Sequence, residues 1–360
     1  MKYDKGHLSF EEQADRLISR GLIADRDLLI SRLKNVNYYR FTGYLHPFRL
    51  DGSDNYRPGT TFEKVWRHYA FDRRLRLIVM DAIERIEVSV RTQLIFELSK
   101  ATGAFGYATP AGLPKLKEDE FIHLLTSITE EVDRSKEIFV KHFFGKYGDF
   151  HKDLPLWMAG EIMSFGAMLT MYRGVSPEIK RGIARHYEIP DEVMTSWLQV
   201  INVVRNICAH HGRLWNRELG YKPLMPGRNK YPQWHTPVPV IAGAKVHKAK
   251  LLSEHPELAD KLGELFQDTS GEYLICKPDT EAIINRSILG YPLKSYLLRV
   301  CQPPYRIFVV LTIVRHFMKK VAPQSRWESH LLSLLEEYPE ISRWSMGFPD
   351  NWKDSPLWNS

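Results

Sequence analysis

The sequence predicts an all-α protein, and three observations carry that prediction. Apolar residues recur three and four positions apart nearly throughout the 360 residues, the period of a helix with one buried face. Helix-start signatures stand at 9–12 (SFEE), 60–63 (TTFE) and 325–328 (SRWE). In each, a Ser or Thr is followed three residues later by Glu, the pattern of a capping box. The stretch 71–100 reads as one long amphipathic helix, with Leu75, Ile78, Val79, Ala82, Ile83 and Ile86 on its apolar side.

The remaining elements follow in chain order. Ser176-Pro177 supplies an N-cap and a proline at the first helical position, where the missing N–H costs nothing. Pro190-Asp191 opens a further helix, expected to reach about Gly212. Between 220 and 243, Pro223, Pro226, Pro232, Pro237 and Pro239 argue against any long helix. Residues 244–302 are more polar and read as an inserted subregion, and Pro303-Pro304 precedes a strong helix at 305–321. The Trp-rich tail SRWSMGFPDNWKDSPLW is expected to pack back on the body. The expected organisation is an N-terminal and core region (1–220), a Pro-rich connection and insertion (221–302) and C-terminal helices on the core (303–360).

Composition narrows the function classes. The chain is 44% hydrophobic with a mass of 42.0 kDa, enough for a substantial core. Mean hydropathy is −0.33, and the longest apolar run, IFVVLTIV at 307–314, is far too short to span a bilayer. The N-terminus lacks an apolar signal region, and three widely spaced cysteines support neither a disulfide framework nor a paired zinc site. A cytoplasmic location without membrane contact is the expectation. Net charge is +7 and pI about 9.1, which suits a polyanionic partner such as nucleic acid, and equally a merely basic surface.

The chemistry concentrates in VVRNICAHHGRLWNR, residues 203–217. At roughly 100° per residue, Val200, Ile201, Val203, Val204, Ile207 and Cys208 fill one apolar arc. Asn202, Asn206 and His210 fall on the opposite side, with Arg205 at the border. His211 falls inside the apolar arc and reads as a structural histidine. A His and an Arg in a last turn also cap carbonyls and complement the helix dipole with no catalytic role. Cys208, His210 and His211 diverge on a helix and find no suitably spaced fourth ligand, so zinc is disfavoured. Glu84, Glu87 and Arg91 share a helical line, and Glu161, in an apolar segment, reads as a buried carboxylate in need of a partner such as Arg91. The run YYRFTGY (38–44) has the aromatic and basic composition that stacks RNA bases, and packing of N-terminal helices explains it equally well.

RNICAH (205–210) resembles the R-N-x-x-x-H form of the R-x(4–6)-H motif of HEPN ribonucleases. The surrounding blocks resemble the Abi-like abortive-infection family, which includes AbiD and AbiF. They are LISRGL (17–22), NYYRFTGYLHPFR (37–49), FDRRLR with IERIEVSVRT (71–92), LPLWMAGEIMSFGAM (154–168), RNICAHHGRLWNR (205–217) and SMGFPDNW (345–352). They stand in the family's order and cover most of the chain, whereas 220–304 is longer than the family's usual connection.

The resemblance implies a HEPN-like helical bundle with N- and C-terminal extensions. It implies a metal-independent endoribonuclease toxin of phage defence with no cofactor, in which Arg205, Asn206 and His210 are catalytic. A ribose 2′-OH beside the scissile phosphate would be the nucleophile, His210 would move protons near neutral pH, and Arg205 would hold phosphate oxygens. Arg213, Arg217, His211, Tyr39 and Arg40 are candidates for RNA contact. RNA is the expected partner, as substrate and as a structured non-coding regulator. HEPN motifs acting in facing pairs imply a homodimer. The alternative is a non-catalytic module of the same fold that binds RNA or a partner.

Overall fold

The structure is a computed structural model and describes residues 6–50, 52–236, 244–269, 271–277, 280–301 and 305–359. Among these residues stand sixteen α-helices and one three-stranded sheet. The helices begin with α1 (Phe10–Ser19), α2 (Arg26–Leu33), α3 (Tyr38–Leu45) and the long α4 (Phe62–Thr102). They continue with α5 (Glu118–Arg134), α6 (Ile138–Tyr147), α7 (Leu156–Ile162), α8 (Phe165–Gly174), α9 (Pro177–His186) and α10 (Asp191–Ala209). The insertion holds β1 (Lys245–His247), α11 (Lys248–Glu254), α12 (Leu262–Leu265), β2 (Phe266–Asp268), β3 (Tyr273–Cys276), α13 (Thr280–Arg286) and α14 (Tyr291–Val300). The chain closes with α15 (Ile307–Val321) and α16 (Trp327–Glu337). The all-α expectation holds, with a small antiparallel sheet of order β1-β3-β2 as an addition.

The chain divides into two compact units, each gathered from three separate segments. The first comprises 1–80, 207–215 and 326–342. Its α1 starts on the expected capping box, the Ser9 amide donating to Glu12 (2.7 Å) and the Glu12 amide to Ser9 Oγ (3.2 Å). The expected box at Thr60 is shifted by one residue. Thr61 Oγ1 accepts the Lys64 amide (3.2 Å), while the Thr60 hydroxyl donates to the Arg57 carbonyl (2.7 Å). Phe71, Leu75 and Val79 of α4 are buried, as are Trp327, Leu331 and Leu334 of α16. The Trp327 indole N–H donates to the Ile78 carbonyl (2.8 Å), satisfying the polar end of a buried ring.

The second unit comprises 81–206, 216–325 and 343–360. Its share of α4 buries Ala82, Ile83, Ile86, Val90, Leu94 and Leu98 at helical spacing. Gly160 of α7 lies so close to Ile95 that a Cβ there would collide with the isoleucine side chain. The Ser176-Pro177 start of α9 is as expected, with Ser176 accepting the Ile179 amide. The tail does return to the body: Trp358 stacks on Phe308 (5.7 Å between ring centres) and donates to Thr312 Oγ1 (3.0 Å). The described part of the Pro-rich connection carries only a short 3₁₀ turn, Pro232–Trp234; Pro237 and Pro239 lie outside the described residues. Trp197 and Ser196 of α10 hold this connection through the Leu224 carbonyl and amide, both at 2.8 Å. The insertion has its own core, built around Leu251, Leu258, Leu265, Phe266, Leu274 and Leu297.

Glu161 is exposed rather than buried. It stands in the last turn of the short α7, whose buried side is formed by Leu156, Ala159 and Gly160. Arg91 pairs instead with Glu87 one turn earlier (2.7 Å) and donates to the Met163 carbonyl (3.3 Å).

Candidate functional site

Helix α10 ends at Ala209, earlier than the expected Gly212. The His211 amide donates to the Cys208 carbonyl (3.0 Å) and the Gly212 amide to the Ile207 carbonyl (2.7 Å). That pair of bonds is a Schellman closure, with His210 as C-cap and His211 in the left-handed position that glycine usually takes. His211 has φ 57°. A histidine held there stores roughly 1–2 kcal/mol of backbone strain.

The turn removes His211 from the helical wheel. The sequence placed its side chain in the apolar arc, yet it is exposed. A 100° step has no meaning once the backbone leaves the helix, which is why the structural-histidine expectation fails. Val203 also departs from the arc, being 37% exposed, while Val200, Ile201, Val204 and Cys208 are buried as expected. Burial pushes the Cys208 thiol up to about 12, so it is a neutral core residue.

His210 is exposed, and its ring has no hydrogen-bond or ion-pair partner among the described residues. What is fixed is the backbone that follows it. Asp72 of α4 is fully buried and receives four donors within the first unit. They are the Trp215 amide (2.8 Å), the Leu214 amide (3.0 Å), the Tyr44 hydroxyl (2.6 Å) and the Arg76 guanidinium (2.5 Å). Arg76 also donates to the Gly212 carbonyl (3.2 Å), and Arg40 to the His211 carbonyl (2.7 Å). Burial pushes the Asp72 carboxyl upward, and Arg76, Tyr44 and the two amides act against it. The Asp72 site therefore collects loop amides that no helix satisfies, 142 and 143 residues away in sequence.

The other expected residues divide by role. Arg213 is half-buried and donates to the Gly43 carbonyl of α3, so it anchors the loop to that helix. Arg40 is similarly engaged, whereas Tyr39 is 73% exposed. These residues and His210 lie in the first unit. In the second unit, Arg205 is half-buried, with its guanidinium 3.5 Å from the Oδ1 of the exposed Asn206, and Arg217 is exposed. No three His, Cys, Asp or Glu side chains group as a metal site among the described residues. No described helix is long and apolar enough to cross a membrane.

Asp72 and Arg76 stand outside the residues the sequence singles out, whereas Tyr44 closes the 38–44 run, and its hydroxyl serves the packing of the first unit by donating to Asp72. A signal existed. Asp72 stands three, seven and eleven positions before Leu75, Val79 and Ile83, which puts an acid in register with a core stripe.

No curated protein and no solved structure is significantly similar to the chain. A family model described as Abi-like protein matches residues 31–216, just over half of the 360. That match spans α3, the Asp72 site and the whole of the 205–215 stretch, and it suggests a role in abortive infection. The chain belongs to the Abi-like protein family.

Proposed function

We propose that this protein is a metal-independent endoribonuclease of the HEPN type, acting as an abortive-infection toxin. The observation that carries the proposal is the treatment of His210. Its imidazole is exposed, while the backbone immediately after it is held by Arg40, Arg76 and Asp72. A proton-transfer group needs this combination of access and fixed position.

The chemistry uses what RNA itself supplies. The 2′-oxygen attacks the adjacent phosphorus and the bond to the 5′-oxygen breaks, leaving a 2′,3′-cyclic phosphate and a 5′-hydroxyl. A neutral His210 accepts the proton of the 2′-OH. A second, protonated imidazole gives one to the departing 5′-oxygen. Arg205 neutralises charge on the non-bridging oxygens, and Asn206 donates to one of them or orients the guanidinium. One histidine does not readily serve both sides of the phosphate, so the second imidazole is His210 of a second copy in a C2 dimer. Arg217 and His211 are available for phosphates outside the reacting one.

Purified protein incubated with RNA in EDTA tests the reading. Wild type should cleave RNA, leave DNA of the same sequence intact, and lose at least about 100-fold in rate on His210→Ala. Equal cleavage by wild type and His210→Ala would overturn it. Mixing wild-type with His210→Ala subunits tests the shared site. Activity should fall below the share of wild-type chains.

A further inference from the structure

A cleft of about 510 Å³ opens in the first unit between α1, the start of α3, Arg49 and Asp54. It lies apart from the His210 loop, and its lining is chemically uneven. Among the described residues, Arg16, Arg20 and Arg49 line it, against the single carboxylate of Asp54. Asp54 holds Arg20 (2.6 Å) and Arg49 (3.2 Å) in place, which fixes two guanidinium groups without neutralising the cluster. Arg16 is exposed and has no ion pair among the described residues. The Arg49 Nε is buried and has no hydrogen-bond partner among the described residues. A buried, unsatisfied guanidinium N–H beside other arginines favours an anionic oxygen.

Tyr38 and Tyr39 form the aromatic wall. Their rings meet edge to face at 5.7 Å, which braces the largely exposed ring of Tyr39. A braced aromatic beside a positive cluster is the arrangement that takes one base and its phosphate. An acidic peptide would use the arginines and leave the tyrosine unused.

Helix α3 relates this cleft to the His210 loop. Arg40, Gly43 and Tyr44 make its hydrogen bonds to the loop segment and to Asp72. Tyr38, Tyr39 and Thr42 line the cleft. At 100° per residue these sets occupy different sides of the helix. The two places are therefore about one helix diameter apart, some 10 Å. About three nucleotide steps of ~3.4 Å span that distance.

We infer that the cleft of Arg16, Arg20, Arg49 and Tyr39 binds a flanking nucleotide of single-stranded RNA, with its phosphate on the arginines and its base on Tyr39. The inference rests on the ribonuclease proposal for its choice of nucleic acid. Its test does not need cleavage. The probe is a short fluorescein-labelled single-stranded DNA, which presents the same phosphates and bases but has no 2′-OH to react. Affinity is read by anisotropy over a salt series.

Arg16→Glu and Tyr39→Ala should each weaken binding by about tenfold, and Tyr39→Phe should stay within about twofold because the ring remains. Arg16→Ala should lower the slope of log K against log salt by about one. Both side chains are exposed, so unchanged thermal midpoints serve as the folding check. Arg16→Glu or Tyr39→Ala binding within twofold of wild type would overturn the inference, as would an equal loss from Tyr39→Phe. Absence of RNA cleavage with these losses intact would count against the ribonuclease proposal alone.

Discussion

Helices α9 and α10 end by the same backbone device and close it in opposite ways. After α9, the Glu188 amide donates to the Arg185 carbonyl (3.1 Å) and the Ile189 amide to the Ala184 carbonyl (3.3 Å). This repeats the Schellman pattern of α10. Each end places a non-glycine residue in the left-handed region, Glu188 and His211, both at φ 57°. At α9, the C-cap Tyr187 and the following Ile189 are buried, and the Tyr187 ring packs on Phe317 (5.0 Å). Its end is closed by burying side chains. At α10, the C-cap His210 and its neighbour His211 are exposed, and side chains from α3 and α4 grip the backbone instead. A helix end built for packing spends its C-cap residue on the core. One built to present an imidazole draws its stability from elsewhere in the chain.

The contrast can be broken most sharply at Asp72. Asp72→Ala leaves Arg76 buried without its partner and frees two loop amides, so an expected loss of about 3–5 kcal/mol should appear in denaturant unfolding. At α9 the corresponding charge, Lys320 paired with Glu188 at 2.6 Å, is exposed, and Lys320→Ala should cost less than about 1 kcal/mol. Similar costs for the two would show that the α10 end is not held as described.

Swapping the C-caps is the next test. Tyr187→Ala should destabilise by about 3 kcal/mol through the cavity it leaves, whereas His210→Ala should stay within about 0.5 kcal/mol of wild type. A large stability loss from His210→Ala would mean that its ring is structural, and would also weaken the catalytic assignment. A smaller effect sharpens the likeness of the two ends. His211→Gly and Glu188→Gly both relieve left-handed strain and should each raise stability by about 0.5–1 kcal/mol, read as a shift in unfolding midpoint. A gain at only one would show that the two turns are strained to different degrees.

The smallest effect concerns pH. Burial lowers the His316 imidazole from its ordinary 6.5, against the Tyr187 carbonyl and Glu188, and burial lowers His68 likewise, against the Lys64 carbonyl. A folded-state value below the unfolded one gives stability that is full above about pH 6.5 and is lost as pH falls from there through the folded values. The unfolding midpoint should therefore decline from about pH 6.5 downward, and the double variant His68→Gln, His316→Gln should flatten that decline. A profile unchanged in the double variant would place the acid sensitivity elsewhere.

Much of the helical content was legible because its signals are local. Apolar spacing marked α4, Ser176-Pro177 marked the start of α9, and prolines accounted for the absence of a long helix in the described part of the connection. The sheet of the insertion was missed. Its strands are three or four residues long, too short for alternation to stand out in a polar segment. Glu161 is exposed although its neighbours are apolar, because a seven-residue helix has too few residues for sequence spacing to define its buried face.

Local sequence alone makes the chain helical, buries Val200, Ile201, Val204 and Cys208 of α10, and carries the Abi-like pattern through 205–216. Tertiary structure alone decided where α10 stops, which way His211 points and what holds the loop after His210. The physical reason is the range of the interactions. Helical period and capping act within four residues, so they are written in consecutive letters. A buried carboxylate is satisfied by donors wherever the fold delivers them. Asp72 finds its own 28 residues back at Tyr44 and 143 residues ahead at Trp215.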